Sequence, residues 1–135
     1  MSVEDRFKVG SVGVWEKVIT HEYTAEALGN PGVDVAGTPW LAAFAEKASL
    51  EGIQDYLAPD ESTVGVHLEL FHLAPTPTGM KVTVRSELVR VEGRKLFFKF
   101  EAHDDVEKVA EGSHDRVVVN LQKILEKARA KRQRS

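Results

Sequence analysis

The chain has no cysteine among its 135 residues, which excludes a disulfide framework, a thiolate metal site and a cysteine nucleophile at once. It lacks any apolar stretch near the roughly 20 residues needed to span a bilayer. The first ten residues, Met1 to Gly10, mix acids and bases and hold no apolar core, so no signal peptide is expected and a cytoplasmic location is the default. There is no internal repeat, low-complexity tract or linker. Aromatic residues are sparse at 7%, and none falls between Ala27 and Gly37. What is present suits a single domain spanning residues 1–135: the apolar content of 42% is ordinary. A chain of this length buries enough surface to fold without a staple.

The net charge of −3 conceals an asymmetry. Residues 121–135 carry six bases (Lys123, Lys127, Arg129, Lys131, Arg132 and Arg134) against Glu126, leaving −8 on the rest. An acidic body is not a surface built for a phosphate backbone, so nucleic acid is not the expected partner. The basic segment reads as a C-terminal helix or tail, either a solvated helix end or a contact for the phosphates of a nucleotide-like ligand.

The pattern gives a short strand over Ser11 to Thr20, then a glycine-rich loop or lid over Ala25 to Gly37. Thr38-Pro39 reads as a helix start, with Thr38 as N-cap and Pro39 at the first helical position. The helix is expected to reach about Leu57, where Ala58-Pro59-Asp60 closes it. Ser62 to Leu73 alternates, with Val64, Val66, Leu68 and Leu70 on one face. Met80 to Val91 and Arg94 to His103 are strands joined at Glu92-Gly93, and after Asp104-Asp105 comes a last strand, Lys108 to Asn120. One long helix followed by a four-strand antiparallel meander is an α+β pattern, with the sheet wrapped around the helix.

Polar residues break this apolar pattern at a few places. Glu46 lies inside a wide apolar arc of the helix that includes Leu41, Phe44, Ala45, Ala48, Leu50 and Ile53. A carboxylate there is partly desolvated, which raises its pKa unless a donor stands close, and such a group suits general-base or nucleophilic work. The bland alternative is a glutamate at the helix edge that reaches water. His72 continues the inward phase of the strand to its end, as a structural histidine or as part of a site where sheet meets loop. The capping role assigned to Thr38 accounts for it, yet a helix N-terminus also offers N–H groups that can hold an oxyanion. Gly65 marks a bulge or a close approach of ligand to backbone. His21, His67, His103 and His114 show no metal-ligand spacing and read as surface residues.

The chain resembles the fluoroacetyl-CoA thioesterase-like branch of the hot-dog superfamily. The likeness runs from about Gly10 into the C-terminal helix. It rests on the Thr38-to-Glu46 spacing, the segments Tyr56 to Gly65 and His72 to Gly79, Val91 to Arg94, Ala102 to Glu107, and Glu111 to Arg116. The resemblance implies a hot-dog fold and hydrolysis of a small acyl-CoA. Thr38, Glu46 and His72 are then catalytic, and Gly65 and Arg116 line the acyl-CoA site; from its charge we further expect Arg116 to meet CoA phosphates. It implies a homodimer with active sites at the subunit interface, and leaves open whether dimers pair further. No metal or cofactor is called for beyond CoA as part of the substrate. Fluoroacetyl-selective members carry phenylalanines in the lid before their threonine. The ring-free lid here leads us to expect another acyl group. A non-catalytic acyl-CoA-binding domain, or a hydratase or dehydratase on the same fold, is the alternative.

Overall fold

The computed structural model describes residues 2–134. In chain order it contains helix α1 (Val3–Arg6), strand β1 (Val12–Val18), helix α2 (Thr38–Glu51) and strand β2 (Glu61–His72). Strands β3 (Lys81–Glu92), β4 (Lys95–His103) and β5 (Lys108–Asn120) follow, then helix α3 (Leu121–Ala130). The strands form one antiparallel sheet in the order β1-β3-β4-β5-β2.

The expected four-strand meander is therefore only three strands long. β2 does not turn back on β3; it pairs with β5 at the far edge of the sheet, and β3 takes β1 as its second neighbour. The connecting segment after His72 crosses the end of the sheet. Leu73 N–H donates to Val109 O, Gly79 N–H to Ile19 O and Ala36 N–H to Thr76 O. Backbone groups that a hairpin would pair with β2 are thus satisfied by other neighbours.

Helix α2 lies across the concave face, chiefly on β1 and β3. Its Leu41, Phe44, Ala45 and Ala48 pack with Val82, Val84, Phe100, Ala102, Val109 and Ala110. The sequence pattern placed Leu96, Phe98, Phe100 and Ala102 of β4 on one face, and all four are buried. Phe98 and Leu96 join Val3, Phe7, Ile53, Leu88 and Val118 in a second cluster at the other end of the sheet. The α1 segment is fastened there by Arg6, whose two Nη atoms donate to Glu61 at 2.7 and 2.9 Å. That bidentate bond leads in holding the Glu61 carboxyl below its usual range.

The helix also departs from expectation at both ends. Gly37, not Thr38, is the N-cap, and Thr38 is already helical. At the other end α2 stops at Glu51, six residues before Leu57, and a single 3-10 turn, Gln54–Tyr56, continues the path. The stop coincides with a tight crossing: a Cβ on Gly13 of β1 would stand 1.9 Å from Ala48 O and 2.5 Å from Gly52 N. Only glycine lets the helix and the edge strand meet backbone to backbone.

In β2 the register shifts between Gly65 and His67. Ahead of this bulge Thr63 faces inward and is buried, while Val66 is 52% exposed. Beyond it Leu68 and Leu70 pack on the core. Unbroken alternation over Val64, Val66, Leu68 and Leu70 is thus corrected: the extra residue flips the phase. Odd-numbered Gly65 and even-numbered His72 can then both face α2. The loop Ala25 to Gly37 doubles back on itself, with Ala25 N–H donating to Val35 O and Glu26 N–H to Val33 O. Its base is tied by the Thr24–Ala36 and Val35–Pro77 bridges.

Candidate active site

The two polar clusters of interest lie at opposite ends of the path taken by α2 over β2. At the first, Thr38 Oγ1 and His72 Nδ1 are 2.7 Å apart. Because Gly37 serves as the cap, the Thr38 hydroxyl is not spent on the helix N-terminus. Trp40 and Leu41 N–H both donate to Gly37 O, and Pro39 has no N–H, so the Thr38 N–H is the donor of this first turn that has no backbone acceptor among the described residues. Burial pulls His72 below the ordinary histidine value, against a smaller upward pull from the backbone of Ala74, so the ring is neutral near pH 7. Its Nε2 is buried and has no hydrogen-bond partner among the described residues. A shallow groove of about 280 Å³ lined by His72, Leu73, Ala74 and Pro75 adjoins it.

The second cluster gathers around Glu46. Its Oε1 accepts from Arg116 Nη1 at 3.2 Å and stands 3.7 Å from His114 Nε2. A Cβ on Gly65 would come within 2.7 Å of that same Oε1, so the bare glycine backbone is what leaves room for the carboxylate. Glu46 keeps 45% of its side chain exposed, against 7% for Arg116. A floor of buried groups thus supports a carboxylate open to its other side. Arg116 is the close donor that a partly desolvated glutamate requires.

The position of Arg116 differs from the phosphate contact expected of it. Its Nε donates to Thr63 Oγ1 at 2.8 Å and its Nη2 to Thr63 O at 3.0 Å. Its Nη1 serves both Glu46 and His114 Nε2, the latter at 3.0 Å. With its guanidinium buried and so engaged, Arg116 braces the carboxylate from below. Burial pulls its pKa down from the usual arginine value and Glu46 pulls it back up; it remains a cation.

His114 and Thr63 belong to this cluster and were missed by sequence reasoning. His114, read as a surface residue, is 1% exposed and Thr63 6%. Residues 112, 114, 116 and 118 alternate along β5, and the burial of Val118 on that phase was the one available signal. His21, His67 and His103 are exposed, as expected. His21, ahead of the lid, and Glu26 and Asp34 on it offer ligand atoms within 4.8 Å of one another, all in solvent.

One chain does not bring all three polar residues together. Thr38 and Glu46 are eight residues apart on α2, about 12 Å along its axis. Gly65 and His72 are seven apart on β2, roughly 20 Å of strand. Two concavities of about 580 and 570 Å³ include none of Thr38, Glu46 and His72. The first lies on the outer sheet face and the second beside α3.

The model of the fluoroacetyl-CoA-specific thioesterase family, FlK, matches residues 19–122. The chain belongs to this family. It is 34% identical over 131 residues to the fluoroacetyl-CoA thioesterase of Streptantibioticus cattleyicolor, a match covering 97% of this chain and 94% of the relative. A solved structure of the fluoroacetyl-CoA thioesterase FlK superposes with a TM-score of 0.85 at 33% identity, covering 93% of this chain and 97% of that one. A thioesterase superfamily member from Thermus thermophilus superposes at 0.88 with 28% identity over 94% of each chain. The curled antiparallel sheet around α2 is thus the hot-dog fold, and FlK-family membership makes the chain a thioester hydrolase.

Proposed function

We propose that the chain hydrolyses a small acyl-CoA to the free acid and CoA, with Thr38, Glu46 and His72 as the catalytic residues. The observation that carries this reading is the Glu46 carboxylate, held by Arg116 against the bare backbone of Gly65 and open on its other side. A carboxylate so placed can attack the thioester carbonyl or activate the water that does. The Thr38 N–H at the helix start suits the developing oxyanion. With Nδ1 engaged by Thr38, His72 presents Nε2 to the departing thiolate or to the water. No metal or bound cofactor enters the reaction.

The active unit in this reading is a cytoplasmic homodimer whose site is shared. β2 is an edge strand with β5 as its one neighbour, so its outer edge is free to pair with a second copy. Antiparallel pairing about a two-fold axis with Gly65 opposite the partner's His72 sets Glu46 of one subunit near the Thr38–His72 pair of the other. The same register places Val66 opposite the partner's Phe71. These two are 52% and 53% exposed in the single chain, and the pairing sets them side by side.

The acyl group in this reading is small and is not selected for fluorine, because residues 27–37 carry no aromatic ring to surround it. Free-thiol release from a panel of short, branched, aromatic and long acyl-CoAs tests the reading, and a protein without cysteine adds no background. Glu46→Gln is expected to lower kcat at least about 100-fold with its melting temperature kept. Binding of CoA analogues with no thiol release from any thioester would instead indicate a binding module or a hydratase.

A further inference from the structure

We propose that His114 is a positioning residue for this reaction: its Nε2 orients the guanidinium of Arg116, which in turn fixes Glu46. The inference rests on the hydrolase reading above and assigns the part played by the floor beneath the carboxylate.

The two contacts of the ring define its protonation. Nδ1 lies 2.7 Å from His67 O, and a carbonyl only accepts, so Nδ1 carries the proton. Nε2 lies 3.0 Å from Arg116 Nη1, and a guanidinium only donates, so Nε2 is bare. His114 is therefore the neutral Nδ1–H tautomer. The carbonyl that selects it belongs to His67, at the register shift beside Gly65. The bulge that admits the Glu46 carboxylate also supplies the acceptor that sets the imidazole.

Donor accounting gives the consequence. Arg116 Nη1 has two hydrogens and two partners, His114 Nε2 and Glu46 Oε1. Directing one hydrogen to the imidazole aims the other at the carboxylate, while Thr63 holds Nε and Nη2. His114 itself is 3.7 Å from Glu46 Oε1, too far for a hydrogen bond, so it acts through Arg116. Packing alone does not call for an imidazole here: the ring is stacked on Phe98 with centroids 6.2 Å apart, a place that a phenyl ring could fill. Without the acceptor, one Nη1 hydrogen would be left buried and unpaired, and the guanidinium would be free to turn from Glu46.

His114→Phe keeps the ring and removes the acceptor; His114→Gln restores an acceptor without a ring. In the thiol-release assay His114→Phe is expected to lower kcat about 10-fold or more with KM within about two-fold, and His114→Gln to recover most of that loss. In an Arg116→Lys background, His114→Phe should add little, as expected of residues acting in series. Should the Phe variant not fold, nitrogen-15 NMR of the wild-type imidazole decides, with a bare Nε2 expected near pH 7. A protonated Nε2, an unchanged kcat in His114→Phe, or a loss equally large in Phe and Gln variants of wild-type stability would overturn the proposal. An inactive wild type would sink the hydrolase reading instead, so the two failures are distinct.

Discussion

Thr38 Oγ1 and His72 Nδ1 stand 2.7 Å apart across 34 residues of chain, yet Glu46 meets neither of them within the single chain. The pair lies at the start of α2 and the end of β2, while Glu46 sits two helical turns on, against Gly65. A shared site predicts subunit complementation. Thr38→Ala and Glu46→Gln proteins, each inactive alone, should regain about one quarter of wild-type activity after unfolding and refolding together, because half the dimers are mixed and each has one intact site. Mixtures that stay inactive despite proven subunit exchange would rule out the shared arrangement.

Gly65→Ala tests the fit around the carboxylate. The new Cβ would come 2.7 Å from Glu46 Oε1, 3.1 Å from His114 Cε1 and 3.3 Å from Arg116 Nη1. The Glu46 side chain is the one with room to move, since its other side is open. We expect a folded protein with kcat lowered about 10-fold or more, a loss in proportion to the displacement of a positioned reactive group. Wild-type kcat would mean that the carboxylate works from another rotamer.

Acid should weaken the fold before the carboxylates titrate. Burial leads in holding both His72 and His114 below the usual 6.5. In the unfolded chain each takes up a proton as pH falls through about 6.5, while in the folded chain each resists until a lower pH. The unfolded state then binds more protons, so the stability these residues contribute is full above 6.5 and declines as pH drops toward their folded values. Melting temperatures between pH 7.5 and 5.5 should show the decline, and His114→Phe should make it shallower. A flat profile would show that neither ring is buried in its neutral form.

Gly13→Ala should destabilise the fold through the seating of α2 on β1. Its Cβ would stand 1.9 Å from Ala48 O, and both clashing partners are backbone, so α2 must lift from β1. A cost of about 1–3 kcal/mol follows from comparable overpacking, read as a drop of roughly 3–10 °C in melting temperature. A melting temperature within about 1 °C of wild type would show that the crossing is looser than it stands.

Local pattern made much of this protein legible. The absence of cysteine, the amphipathic stretch after Thr38-Pro39, the alternation of Leu96 to Ala102 and the three polar intrusions at Thr38, Glu46 and His72 are properties of neighbouring residues, where side-chain period is enough. The family resemblance added the fold and the thioester chemistry. What lay beyond reach involved partners distant in the chain. β2 pairs with β5 rather than β3 because the connecting segment finds its hydrogen bonds elsewhere. Thr38 gives up the cap because Gly37 takes it. Gly65 offered a bulge as one of two readings, but the strand's alternation did not show that one extra residue at Val66 reverses the face of half of it. The brace of Thr63, His114 and Arg116 under Glu46 joins β2, β5 and α2. A histidine in an alternating strand looks the same in sequence whether that face meets water or a carboxylate; only the packing of the helix on the sheet decides which.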